Sequence, residues 1–261
     1  MITHKNISLF FVFLLLLLFL LNFYVATNIW WFVVVILIWL GINAVGSARI
    51  SSHYHVKVFC NNPLETEKKI ALTFDDGPGI FTLEVLELLK KYDVKATFFC
   101  IGKNIETHPE IVQRIIDEGH LVGNHSYSHS KFFDFYNAEK IQQEIQKTDE
   151  LLQKYTSKKI NFFRPPYGVT TPSIRRALEK TGHKVIGWNI RSLDGGTKNQ
   201  ELIFNRIIKR VSPGGIVLLH DTASHSVLVL EQFLQFLQQN NYKVISTEEL
   251  LNLKAYGVER G

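Results

Sequence analysis

Between Lys5 and Arg49 no side chain carries a formal charge, and this gap constrains the fold more than any other feature of the 261-residue chain. Ile7 to Ala26 is 20 residues broken only by Ser8 and Asn22, and Ile29 to Ala48 is another 20 relieved only by Asn43, Ser47 and glycines. At about 1.5 Å of rise per residue, each run reaches about 30 Å as a helix, the thickness of a hydrocarbon core. Tyr24, Trp30 and Trp31 flank the join, where amphipathic aromatics favour the membrane interface. The expectation is a multi-pass anchor in the cytoplasmic membrane, with spans at about 7–26 and 29–48, a tight turn near Thr27-Asn28 and contact with membrane lipid. A cleaved signal peptide is the rival, since Ala44-Val45-Gly46 resembles a small-residue cleavage site; its apolar core of about 7–15 residues is shorter than either run. A hairpin puts both ends on one side. Lys5, Arg49 and Lys57 are all basic, which by the positive-inside rule favours the cytoplasm, but three charges do not decide the side.

Beyond Ala48 the chain is a different polymer. Its 213 residues carry 52 charged side chains, about 24%, ordinary for a soluble globular domain. The aliphatic and aromatic content excludes intrinsic disorder, and two cysteines exclude a disulfide scaffold. Cys60 and Cys100 sit in apolar strand-like runs and read as buried thiols, with a mutual disulfide as the alternative. Cations and anions are interspersed, with no basic run longer than a pair such as Lys68-Lys69 or Lys158-Lys159, so a nucleic-acid partner is not expected.

Residues 49–67 read as a linker and leading strand. From residue 68 to 261 strand-like and helix-like segments alternate. Strands are expected at 70–74, 95–101, 161–163, 184–190, 215–219 and 243–246, and helices at 82–92, 109–118, 137–155, from Pro172, 200–211 and 227–239. Thr171-Pro172 at a helix start, and Gly119, Gly182 and Gly214 near helix ends, fit this punctuation. The alternation predicts an α/β fold with a mostly parallel sheet. An open sheet and a closed barrel both satisfy it, and the length favours a single barrel.

Four polar segments follow strands or lie in loops, where α/β proteins collect their active sites. Thr73-Phe74-Asp75-Asp76-Gly77-Pro78 sets two carboxylates side by side, which repel unless a cation or proton intervenes. His125 and His129 in His-Ser-Tyr-Ser-His share a face if that segment is helical. Asp76, His125 and His129 together make a two-nitrogen, one-oxygen set suited to Zn2+ with one position open, as in catalytic sites. Asp75 is then a candidate general base. Arg164, in Arg-Pro-Pro-Tyr-Gly, could pair with Asp75; His220, in Leu218-Leu219-His220-Asp221, could donate a proton, with Asp194 holding its tautomer. Taken singly, each segment also has a plainer reading as a solvated turn, a surface arginine or a structural histidine.

In this order the segments resemble the polysaccharide deacetylases of the NodB-homology type, carbohydrate esterase family four, over roughly residues 68–250. The resemblance implies a distorted TIM-like (β/α) barrel, often of seven units, and a divalent metal, usually zinc. It implies Asp75 as base, Asp76, His125 and His129 as metal ligands, His220 as acid, and Arg164 orienting Asp75. It further implies that Leu218 lines the acyl pocket and that the Tyr167 N–H binds the oxyanion. One motif departs from the family pattern: Arg191 stands where an acid is expected and Gly195 where a tryptophan is, although Asp194 is kept.

The function expected is metal-dependent removal of N-acetyl or other N-acyl groups from an N-acetylated glycan or lipid-linked amino sugar. Tyr127, Phe132, Phe133 and Trp188 could stack on sugar rings or simply pack. A membrane-anchored carbohydrate-binding protein without turnover, and an amidohydrolase of a non-sugar N-acyl amine, are the alternatives.

Overall fold

A computed structural model describes residues 3–257. Helices α1 (His4–Leu21) and α2 (Trp30–Ala48) form a hairpin. Its turn is closed where the Thr27 N–H and hydroxyl both donate to Asn22 Oδ1 at 3.0 and 2.8 Å. The first helix therefore starts earlier and stops earlier than the apolar run suggests, because the Asn22 side chain satisfies the turn rather than a further helical residue. Both helices are long and apolar enough to cross a membrane, and of their residues Phe11 alone is buried. A core helix of a soluble protein is mostly buried.

The remaining elements follow in chain order. They are β1 (Val58–Phe59), β2 (Lys69–Asp75), α3 (Ile80–Lys91), β3 (Thr97–Cys100), α4 (Gly102–Thr107), α5 (Pro109–Asp117) and β4 (Leu121–Asn124). Then come α6 (Ala138–Thr156), β5 (Lys159–Ile160), β6 (Phe162–Phe163), α7 (Pro172–Thr181), β7 (Lys184–Ile186) and β8 (Ile190–Arg191). The chain continues with α8 (Gln200–Ile208), β9 (Gly215–His220), α9 (Ser224–Gln239), β10 (Lys243–Val244), α10 (Thr247–Leu251) and β11 (Tyr256–Gly257). Helix starts follow local chemistry: Asn137, Thr171 and Asn199 each accept a first-turn N–H of α6, α7 and α8, and Pro172 occupies the first position of α7.

Eight parallel strands form one curled sheet in the order β1-β7-β6-β4-β3-β2-β9-β8, with β10 paired in parallel to the start of β2. Helices pack outside it, giving the distorted TIM-like barrel that the family resemblance implies. The two edge strands do not pair, so the barrel is incomplete. Residues just after β1 partly span the opening at the amino end of β9, where the Asn62 N–H donates to the Gly214 carbonyl at 2.8 Å. The expected strand 184–190 is split, because the Gly187 N–H bonds to Phe59 while the Asn189 N–H bonds to Ile216. β4, α4 and α10 lie outside the expected elements; each is short, with too little periodicity to read.

Side-chain parity explains the layers. In β2, Ile70, Leu72 and Phe74 pack outward against Val85 and Leu89 of α3 and Phe233 of α9. Ala71 packs inward with Phe99, Phe162, Ile186 and Ile216, filling the barrel interior. Successive strand residues alternate faces, so Thr73 and Asp75 also project inward, Asp75 at the carboxyl end. The same parity in β9 sends Val217 and Leu219 outward and turns Leu218 and His220 inward.

Candidate active site

Four parallel strands deliver their polar ends to one rim of the barrel. Asp75 closes β2 and Asp76 follows in a left-handed conformation (φ 74°), which turns its carboxylate back over the rim. The Asp76 carbonyl accepts from Asn104 Nδ2 at 2.6 Å. Gly77 then lies against the Asp221 carboxylate so closely that a Cβ would collide with it. Asp221 is fully buried, accepts from the Thr82 hydroxyl at 2.6 Å, and burial pushes its carboxyl up to about 7 against that hydrogen bond.

The pair His125 and His129 is brought together by a local structure other than a helix. The segment after β4 is a loop in which Ser126 (φ 63°) and His129 (φ 45°) are left-handed, so i, i+4 proximity comes from a turn. The rings sit 4.9 Å apart between centroids. His125 Nδ1 lies 2.7 Å from the Arg164 carbonyl, which can only accept, so Nδ1 holds a proton and Nε2 faces the rim.

Asp76 Oδ1 is 3.4 Å from His125 Nε2 and 3.3 Å from His129 Nε2. Ligands about 2.0–2.1 Å from one tetrahedral ion stand about 3.3 Å from each other, so these three donors fit a small divalent cation. The full set lies within 4.8 Å. Burial pushes the Asp76 carboxyl up, but the His125 hydrogen bond and then the charges of His125, His129 and His220 outweigh it and hold it well below the usual carboxylate range.

Arg164 lies beneath Asp75, fully buried. Its Nη1 donates to Asp75 Oδ1 at 2.6 Å and to Thr73 Oγ1 at 2.9 Å, its Nε to the Ile186 carbonyl and its Nη2 to the Gly187 carbonyl, both at 2.9 Å. Its guanidinium carbon is 4.1 Å from the Phe99 ring centroid. Each of its three nitrogens has a partner, four of the five N–H groups being matched, which offsets the cost of burying a guanidinium. The second Asp75 oxygen is left facing His125 at 3.8 Å.

On the opposite side, His220 Nδ1 is 2.7 Å from Asp194 Oδ1, and the His220 N–H donates to Asp194 Oδ2 at 2.9 Å. Asp194 also accepts from the Ser192 hydroxyl at 2.5 Å. Burial pulls the His220 imidazole down, but the Asp194 hydrogen bond and charge outweigh it and raise it to about 9. His220 Nε2 points to Asp76, 3.9 Å from Oδ2.

A pocket of about 270 Å3 joins these groups, its wall including Tyr167, Trp188, Arg191 and Leu218. Tyr167 is left-handed (φ 59°) and half exposed, with its ring 4.8 Å from that of His129. Gly168 lies so close to the Trp188 ring that a side chain there would collide with it. Phe133 is buried in the core and therefore unable to stack on a sugar, whereas Phe132 is exposed. Tyr127 is tied to Glu106 through its hydroxyl and covered by Lys147. Sequence reasoning missed Thr73, Ser192 and Asn104, which support the functional groups, and gave Asp221 no role; only the Ser-x-Asp spacing of Ser192 and Asp194 offered a signal.

A (β/α) barrel whose rim gathers a cation-type triad, a separate carboxylate and a histidine–carboxylate pair has the arrangement of a hydrolase. A family model described as polysaccharide deacetylase matches residues 64–186. The peptidoglycan-N-acetylglucosamine deacetylase of Bacillus cereus is 37% identical over 155 residues, covering 59% of this chain and 56% of that protein, so the chain spans just over half of that relative. The peptidoglycan-N-acetylmuramic acid deacetylase PdaA of Bacillus subtilis is 33% identical over 190 residues, covering 71% and 72%. Among solved structures, a peptidoglycan N-acetylglucosamine deacetylase in complex with an N-oxidanyl-benzamide superposes with a TM-score of 0.70 at 31% identity, covering 76% of this chain and 94% of that one. This chain belongs to the polysaccharide deacetylase family. It is thereby a hydrolase acting on carbon–nitrogen bonds.

Proposed function

We propose that the protein removes an N-acetyl or related N-acyl group from an amino sugar in a metal-dependent reaction, anchored to the membrane by α1 and α2. The observation that carries this reading is the convergence of Asp76, His125 and His129 at 3.3–3.4 Å, with Asp75 and His220 beside them. Those three would hold a divalent ion, Zn2+ by the chemistry of the donor set. When bound, such an ion supplies Lewis acidity toward the amide carbonyl and toward water.

Asp75 takes the proton from the attacking water. Arg164 occupies one of its oxygens and leaves the other aimed at the rim. The Tyr167 N–H supports the oxyanion of the tetrahedral species, and Leu218 and Trp188 shape the wall against the acyl methyl and the sugar. His220, carrying its second proton on Nε2, hands it to the departing amine; Asp194 holds Nδ1 and stabilises the imidazolium. The relatives act on peptidoglycan by their names, which supports an N-acetylated cell-wall glycan or its lipid-linked precursor as the substrate class.

The test is acetate release by the full chain in detergent from N-acetylglucosamine oligomers, with and without a chelator, alongside Asp75→Asn and His220→Ala. Acetate release that persists through chelation, or near-normal turnover in either variant, overturns the assignment.

A further inference from the structure

Three cavities share lining residues in series, from the catalytic pocket to α2. The pocket shares Tyr167, Trp188 and Arg191 with a neighbouring cleft of about 370 Å3. That cleft is lined by four arginines, Arg49, Arg191, Arg206 and Arg210, and by no Asp or Glu. The cleft in turn shares Arg49 and Ser51 with a groove of about 600 Å3 along α2. The α2 residues in that groove, Ile38, Gly41, Ile42, Val45 and Gly46, recur at three- and four-residue steps and form one apolar stripe that ends on Arg49. At Gly41 an added side chain would meet open space.

The arginine cluster is uncompensated. Among the described residues, arginine ion pairs are made by Arg114, Arg164 and Arg175 only. Arg206 Nε donates to the Arg191 carbonyl at 3.0 Å, which ties α8 to the end of β8. Burial, and then the Arg210 and Arg191 charges, press the Arg206 guanidinium below its ordinary value. Four like charges in one concavity repel one another, and guanidinium groups are matched in geometry and charge by phosphoryl oxygens. The cleft opens at Ala48-Arg49, where the apolar helix ends, so an anion seated there lies at headgroup level with the apolar groove leading away from it.

We propose that the substrate is an N-acylated amino sugar joined through a phosphoryl or diphosphoryl group to a lipid tail. The sugar lies in the catalytic pocket, the phosphoryl group in the arginine cleft and the tail in the α2 groove. This deepens the deacetylase reading and rests on it for the chemistry. It also accounts for Arg191, which stands where the family pattern has an acid. An acid there would repel the phosphoryl group, and an arginine receives it.

The test uses the full chain in nanodiscs of phosphatidylcholine. Binding is measured first, with the Asp75→Asn protein, for farnesyl-diphospho-N-acetylglucosamine and for the uncharged farnesyl glycoside of N-acetylglucosamine. The expected result is at least about ten-fold tighter binding of the diphosphate, lost in the Arg206→Gln/Arg210→Gln variant. Acetate release is then compared among the farnesyl diphosphosugar, UDP-N-acetylglucosamine and an uncharged N-acetylglucosamine tetramer. The diphosphosugar-to-tetramer ratio of kcat/KM should fall about ten-fold in the arginine variant. The diphosphosugar-to-UDP-sugar ratio should fall in Gly41→Leu, which fills the groove.

Equal affinity for charged and uncharged ligands, or no effect of the arginine variant, overturns the cleft. Equal use of the UDP-sugar with a silent Gly41→Leu overturns the tail groove. Loss of the discrimination when phosphatidylglycerol is added overturns the substrate assignment in favour of a site for bulk anionic lipid. Binding as expected with no acetate from any substrate supports the ligand class and overturns the deacetylase reading instead.

Discussion

Arg164 Nη1 and Asp75 Oδ1 stand 2.6 Å apart where Arg164 is fully buried and Asp75 nearly so, one strand end supplying the cation and another the anion. Removing one member of such a pair leaves an uncompensated buried charge. Arg164→Ala is expected to cost about 3–5 kcal/mol of stability, read by denaturant unfolding, and to lower activity with it. Asp75→Asn keeps the shape but cannot take a proton; kcat should fall by about 10²–10⁴ with the bound metal retained, as metal analysis of the purified variant would show.

The triad makes metal content the second prediction. His125→Ala and Asp76→Ala should lose both bound metal and activity. Asp194→Asn should keep the metal and lose about 10–100-fold in kcat, because Asp194 touches His220 and not the triad. Metal analysis beside acetate release separates the two classes, and metal loss in Asp194→Asn would contradict the division of labour.

Gly168 is left-handed (φ 71°) and packs on the Trp188 ring. Gly168→Ala must both strain the backbone and move that ring, which forms a wall of the pocket. The expected outcome is a loss of at least about 1 kcal/mol in stability and a raised KM, with intrinsic tryptophan fluorescence altered.

His120 supplies a pH dependence of stability away from the site. Its ring is buried against Phe98, Nδ1 accepts the Ala96 N–H at 3.2 Å, and Nε2 has no partner. Burial, then the Lys95 charge, lowers it to about 4 against the pull of Glu118. The folded state therefore prefers the neutral ring. Its contribution is complete above about 6.5 and is lost as pH falls from there toward about 4, of order 2–3 kcal/mol. Unfolding of wild type and His120→Gln at pH 7 and pH 4.5 should show the smaller loss in the variant; equal losses would remove His120 from the account.

Much of this molecule was readable along the chain. The uncharged gap from residue 6 to 48 reads as two apolar helices because each of its runs is about 20 residues long, and α1 and α2 are long and apolar enough to cross a membrane. Strand parity is a local property, so the sequence already puts Thr73 with Asp75, and Leu218 with His220, on one face of their strands; both faces of these runs are apolar, and packing decided which face is the inner one. Convergence is not local. Residues 75, 125, 164 and 220 meet only because parallel register brings four strand ends to one rim, and register depends on packing between segments far apart in sequence. The left-handed turns at Ser126 and His129, the burial of Asp221 against Gly77, and the gathering of Arg49, Arg191, Arg206 and Arg210 in one cleft have no periodic signature. Sequence determined which kinds of residue each element offers and which of them share a face; the tertiary structure alone decided which of them share a cavity, since proximity across elements comes from packing rather than from spacing.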